Sequence, residues 1–123
     1  MPHIHPTVLI VDDHDDVREG LALLVRGAGY AVETARDGRR ALEKMREAKP
    51  CIILLDLMMP DMSGYDFRDA QLADEELRDI PIVIISAAPD VQKAADRLRA
   101  AAWVEKPVNL QTLAALIPKH CLK

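Results

Sequence analysis

Five polar residues follow apolar runs of this sequence at once. Asp12 and Asp13 follow TVLIV, Asp56 follows CIILL, Ser86 follows PIVII, and Lys106 follows the short run Trp103-Val104-Glu105. Three carboxylates brought together repel one another and need a cation. A donor set of hard oxygens, with neither His nor Cys among these residues, suits Mg²⁺, which keeps several waters and shares its remaining positions with phosphate oxygens. A lysine is a point-charge donor for a phosphoryl oxygen, and a serine hydroxyl donates to the same group. An ionised aspartate can attack phosphorus and form an acyl phosphate. The metal and the lysine would neutralise charge on the transferring group. Each residue type has a place in phosphoryl transfer to a carboxylate.

Residues so far apart must be gathered by the elements that precede them. Thr7–Val11, residues 51–55 and residues 81–85 are short, apolar and rich in β-branched side chains. Such runs suit strands covered on both faces, as in a parallel sheet. Residues 30–35 read as a further strand and residues 103–105 as the last. Between them lie helical patterns. Val17, Leu21, Leu24 and Val25 share a face, ended by Gly27 and Gly29. Ala41, Leu42, Met45 and Ala48 share another, started by Asp37-Gly38 and stopped by Pro50. Residues 65–77 and 90–101 are predicted helices, and Asn109 is placed to cap a last one carrying Leu110, Leu113, Leu116 and Ile117. Five strands alternating with five helices predict a parallel sheet with helices on both faces, the crossovers right-handed. Every strand of such a sheet ends at the same edge, where ligands of open α/β sheets bind. Asp12, Asp13, Asp56, Ser86 and Lys106 are thereby expected in one crevice.

Composition narrows the rest. At 123 residues the chain is one domain by length, and its 50% apolar content fills one core. The net charge of −4 and the lack of a basic cluster argue against nucleic acid as a direct partner. No apolar run spans a bilayer, and residues 1–6 lack a signal-peptide layout. Cys51 and Cys121 show no metal spacing; they read as a small core residue and a tail residue of a reduced, cytoplasmic protein. Residues 1–6 read as a disordered tail, 7–119 as the domain and 120–123 as a second tail. His3 and His5, even with His14, read more simply as tail histidines than as a metal site. Met58, Met59 and Met62 read as loop packing.

Four stretches in this order carry a resemblance: Val-Asp-Asp at 11–13, Leu-Leu-Asp-Leu-Met-Met-Pro-Asp-Met-Ser-Gly at 54–64, Ile-Ile-Ser-Ala at 84–87 and Glu-Lys-Pro-Val at 105–108. They resemble the receiver domains of bacterial response regulators over nearly the whole chain. The resemblance implies a flavodoxin-like (CheY-like) doubly wound five-stranded sheet and a phosphorelay switch. It implies Asp56 as phosphoacceptor, with Lys106 and Ser86 at the phosphoryl group. It places Mg²⁺ on Asp13 directly, on Asp12 mainly through water, on Asp56 and on the backbone carbonyl of Met58. It implies a cis peptide between Lys106 and Pro107, and a switch pairing Ser86 with Trp103. The implied phosphodonor is a histidine kinase or a phosphotransfer protein. The implied signalling face is the fourth helix, last strand and last helix, through which a homodimer is conceivable by analogy.

Departures from the family pattern carry expectations too. The stretch from Ser86 to Lys106 is slightly short, which trims the fourth helix or the loop before it. Arg99 stands where a glycine often precedes the last strand. Trp103 is bulkier than the usual Tyr or Phe and is expected to swing less completely or stay outward. Met58 and Ala88 cannot orient water well, which implies slow loss of the acyl phosphate. Two rival readings are weaker. An aspartyl phosphohydrolase needs a second acid two residues after the nucleophile, where Met58 stands. A receiver-like binding module would have lost one of the acidic pair, the acceptor or the lysine, and all are present. The chain is therefore expected not to be an enzyme beyond its own phosphorylation and dephosphorylation. A stand-alone receiver and a piece of a longer regulator or hybrid kinase both remain open.

Overall fold

The computed structural model describes residues 7–57, 62–87 and 90–121. Five strands alternate with five helices: β1 Thr7–Val11, α1 Asp15–Gly27, β2 Ala31–Ala35, α2 Gly38–Glu47, β3 Ile52–Asp56, α3 Gly64–Leu72, β4 Ile82–Ser86, α4 Val91–Leu98, β5 Ala102–Glu105 and α5 Leu110–His120. All strand pairs are parallel and the order is β2-β1-β3-β4-β5. This is the doubly wound sheet expected from the alternation.

The central strands are buried on both sides, so successive residues feed two separate cores. Leu9, Val11, Ile53, Leu55, Ile82 and Ile84 face α2, α3 and α4, where Met45, Phe67, Ala94 and Leu98 pack against them. Val8, Ile10, Ile52, Leu54, Val83 and Ile85 face α1 and α5, meeting Leu21, Val25, Leu113 and Ile117. The edge strands β2 and β5 are only half covered.

Helix starts follow local chemistry. Asp37 caps α2 by accepting from the Arg40 amide at 2.8 Å, Ser63 caps α3 through the Asp66 amide, and Asn109 caps α5 through the Thr112 amide at 2.8 Å. Asp15 and Asp16 lie in the first turn of α1, where negative charge complements the helix dipole.

Two expectations need correction. The third helix ends at Leu72 rather than near residue 77. Beyond it the chain turns, because Leu77 and Ile80 are drawn into the core and the buried Gln71 amide donates to their carbonyls at 2.9 and 2.8 Å. Second, Cys51 and Cys121 are neither an isolated core thiol nor a tail thiol: they form a disulfide across 70 residues. Packing of α5 on α1 and β3 brings the end of α5 to the start of β3, a proximity no local spacing announces. The reduced state inferred from sequence is thus not the state of this structure.

Candidate functional site

At the carboxyl edge of the sheet, β1 leads into Asp12 and Asp13, while β3 ends in Asp56 and β4 in Ser86. Lys106 follows β5 at once and is tied to β4 through its amide, which donates to the Ser86 carbonyl at 3.0 Å. The peptide between Lys106 and Pro107 is cis. The parallel topology thus sets all five residues at the same edge of the sheet.

Asp12 and Asp56 are 1% and 5% exposed, a depth at which carboxylates need partners. Lys106 Nζ donates to Asp12 Oδ2 at 3.0 Å and stands 3.7 Å from Asp56 Oδ2. Asp12 Oδ1 accepts the His14 amide at 2.9 Å, and the Asp12 carbonyl accepts from Arg18 at 2.9 Å. Asp13 differs: its Oδ1 is buried and accepts no hydrogen bond. Ligand atoms of Asp12, Asp13, His14 and Asp56 all lie within 4.8 Å of one another. Three carboxylates with one lysine beside two of them leave excess negative charge, and Asp13 Oδ1 is a buried oxygen without a hydrogen bond. The carboxylate oxygens of that group fit a hard divalent cation.

Gly64 packs directly against the end of β3. Its amide donates to the Leu57 carbonyl at 3.0 Å, and a Cβ there would stand 2.9 Å from the Leu57 Cα. Only glycine lets the chain double back so close behind the acceptor strand. Met58, with its expected carbonyl ligand, and Ala88 lie outside the described residues.

Ser86 is 1% exposed and pairs in register with Glu105. It lines a cavity of about 300 Å³ between α3 and α4, together with Leu57, Tyr65, Val91, Ala94 and Arg97. The Arg97 guanidinium covers the Tyr65 ring 5.0 Å from its centre. Trp103, paired with Ile84, is 38% exposed and so lies outward in this state.

Sequence reasoning passed over two features. His14 belongs with the aspartates rather than with the tail: its Nδ1 is 3.3 Å from Asp12 Oδ1 and 3.2 Å from Asp13 Oδ1. Arg68, only 6% exposed, joins α3 to the end of α4. Its guanidinium donates to the Leu98 carbonyl at 2.9 Å, to Gln71 Oε1 at 2.8 Å and to the Arg99 carbonyl at 3.1 Å. Burial pushes its pKa down, and the Arg99 charge adds to this. The signal lay in Arg68 and Gln71 sharing a helix face beside Phe67. Arg99 itself caps α4 with φ 56°, a left-handed conformation that suits glycine.

The family model for the response regulator receiver domain matches residues 8–118. The chain belongs to that family. It is 34% identical to the DNA-binding response regulator MtrA of Mycolicibacterium smegmatis over 119 residues, 95% of this chain and 51% of that protein. Among solved structures it is similar to the chemotaxis protein CheY4 of Vibrio cholerae, with TM-score 0.86, 32% identity and coverage of 95% and 99% of the two chains. It is also similar to the signal receiver domain of a signal transduction histidine kinase from Syntrophus aciditrophicus, with TM-score 0.80, 28% identity and coverage of 93% and 88%. The chain spans about half the length of the curated MtrA relatives. A relative named as DNA-binding gives no support to the expectation, drawn from charge alone, that nucleic acid is not a partner. Among the described residues no helix is long and apolar enough to cross a membrane.

Proposed function

We propose that this receiver domain takes a phosphoryl group onto Asp56 from a histidine kinase or phosphotransfer protein, in an Mg²⁺-dependent step, and uses it to switch a protein-binding face. The observation that carries the reading is the gathering of Asp12, Asp13 and Asp56 within 4.8 Å at one sheet edge, with Lys106 on Asp12 and beside Asp56, and with Asp13 Oδ1 buried and accepting no hydrogen bond.

An Asp56 carboxylate oxygen attacks phosphorus, the bond from phosphorus to the donor nitrogen breaks, and an aspartyl phosphate forms. Asp13, Asp12 and Asp56 would hold the Mg²⁺, which supplies charge neutralisation at the phosphoryl oxygens. Lys106 is released from its bond to Asp12 and follows the new charge on Asp56. The Ser86 hydroxyl donates to a phosphoryl oxygen, drawing its loop inward. The cavity that Ser86 lines leaves its side chain room to move. Because β4 and β5 are paired at Ser86 and Glu105, the movement reaches Trp103 and the surface of α4, β5 and α5. A shift from mostly inactive to mostly active needs about 5 kcal/mol of differential stabilisation, within reach of a dianion held by a lysine, a hydroxyl and a metal.

The test is intact mass after incubation with acetyl phosphate and Mg²⁺. One added phosphoryl group is expected, lost without Mg²⁺ and absent in Asp56→Asn. An adduct that survives Asp56→Asn refutes the assignment of the acceptor. Sustained release of phosphate at catalytic rates, without an adduct, favours a phosphohydrolase instead.

A further inference from the structure

The bond between Cys51 and Cys121 joins a firmly held segment to a loosely held one. Cys51 comes just before β3, is 7% exposed and is pinned by its amide, which donates to the Thr7 carbonyl at 2.8 Å. Cys121 follows α5 and is partly exposed. The last residue of α5 buried in a core is Ile117. Beyond it Pro118 and Lys119 are exposed, and His120 joins neither core. Pro118 also lacks the amide hydrogen through which a helical residue bonds the carbonyl four positions earlier. The last turn of α5 is thus fastened mainly through Cys121, whose sulfur is bonded to the rigid start of β3. Both cores, meanwhile, are built from side chains of the central strands and all five helices. A domain of this size with two such cores does not need a covalent staple to fold.

We propose that Cys51 and Cys121 form a reversible thiol–disulfide exchange site, at which a dithiol reductant frees the last turn of α5. Cys121 offers the approachable sulfur, because Cys51 is buried. A thiolate of the reductant attacks Cys121 Sγ. The bond between the two Sγ atoms breaks, and its electron pair leaves with Cys51 Sγ, which takes up a proton. The second thiolate of the reductant attacks the reductant sulfur of the mixed disulfide, and Cys121 leaves as a thiolate and is protonated. The reductant departs as a disulfide, two electrons having passed to the protein. An oxidised dithiol reverses the sequence. Reduction leaves both cores in place and lets residues 118–121 fray, whereas oxidation clamps them. Cys51 precedes β3 and Asp56 ends it, so the exchange acts at the opposite edge of the sheet from the acidic residues and needs no phosphoryl group. Because α5 borders the face proposed above to carry the signal, the bond gives that face a redox input; this consequence alone rests on that reading.

The test starts from the full chain oxidised with glutathione disulfide. It is treated with dithiothreitol in native buffer, its thiols are trapped with N-ethylmaleimide in urea, and the intact mass is read. The oxidised protein is expected to take no label, the reduced protein two labels, and protein reoxidised with glutathione disulfide none again. Amide exchange is then compared between the two forms by mass spectrometry. Lys119, His120 and Cys121 should exchange about tenfold faster or more after reduction, while Ile53, Leu54 and Leu55 stay within about threefold of the oxidised rate. Cys121→Ser should show the fast pattern without reductant. Label in the oxidised protein means that the bond does not form, and overturns the inference. A bond that dithiothreitol opens only in urea also overturns it, because it marks a structural staple. So does unfolding of the whole domain on reduction, read as rapid exchange throughout β3. Reduction in native buffer with unchanged exchange at residues 119–121 overturns the role given to the last turn. None of these readouts uses the phosphoacceptor, so a failure of the Asp56 assignment would show in the acetyl phosphate experiment and leave this one unchanged.

Discussion

Two buried charge clusters in this small domain are built on opposite rules. Around Arg68 each guanidinium nitrogen donates to a neutral oxygen: a carbonyl of α4, a carbonyl just after it and the side chain of Gln71. Around Asp56 two carboxylates, Asp12 and Asp56, share one lysine, and a buried oxygen of the neighbouring Asp13 accepts no hydrogen bond. The first cluster is closed and can only hold the fold together. The second is open and gains when a cation or a phosphoryl group arrives. Incomplete satisfaction of buried polar groups is costly, so its concentration at one sheet edge marks that edge as the working part.

The comparison breaks or holds on stability measured against chemistry. The largest expected effect is Arg68→Leu. It strips partners from two carbonyls and from Gln71, and should lower unfolding free energy by about 3 kcal/mol. The mass gained from acetyl phosphate should be unchanged below the melting transition. A variant of wild-type stability in urea would mean that water replaces the guanidinium and the cluster is not closed. Asp13→Asn should do the reverse. Removing one charge from the crowded pocket stabilises the domain by about 1 kcal/mol without Mg²⁺, while Mg²⁺-dependent phosphorylation is lost. A loss of stability in that variant would show the pocket to be balanced already.

Asp37 lies between the two cases, as a buried carboxylate whose cap is complete. The Arg40 amide, and secondarily its guanidinium, hold its pKa below the usual aspartate value against the opposing effect of burial. The folded pKa is depressed, so this stabilisation is fully present above about pH 4 and fades as the pH falls through the lower, folded value. Asp37→Ala should cost about 1 kcal/mol at pH 7. The difference from wild type should shrink in melts at the acid end of that window. A difference independent of pH would assign the loss to packing instead.

The smallest effect is expected for Arg99→Gly. Relief of the left-handed conformation and of repulsion on Arg68 should stabilise the domain by somewhat under about 1 kcal/mol, part of the gain being offset by the chain entropy of glycine. The Arg99 carbonyl that accepts from Arg68 is retained. A lowered melting temperature would mean that the Arg99 side chain makes a contribution exceeding its strain.

The sequence by itself determined the layout. Apolar runs ending in Asp, Asp, Ser and Lys, alternating with amphipathic segments, require a parallel sheet whose carboxyl edge gathers those residues. The reasons are local: strand periodicity, caps such as Asn109 and breakers such as Pro50 act within a few residues. Only the tertiary structure decided what depends on approach between distant segments. The Cys51–Cys121 disulfide joins residues 70 apart that meet because α5 packs beside β3. Helix α3 stops at Leu72 because Leu77 and Ile80 find the core and Gln71 holds their carbonyls, against a sequence that could have stayed helical. His14 lies against its chain neighbours Asp12 and Asp13, and the sheet then brings all three beside Asp56. Arg68 can be buried because α4 ends beside it with carbonyls to spare. Each is a contact whose partner lies beyond the reach of a periodic pattern, and such contacts exist only once the sheet has brought its flanking helices together.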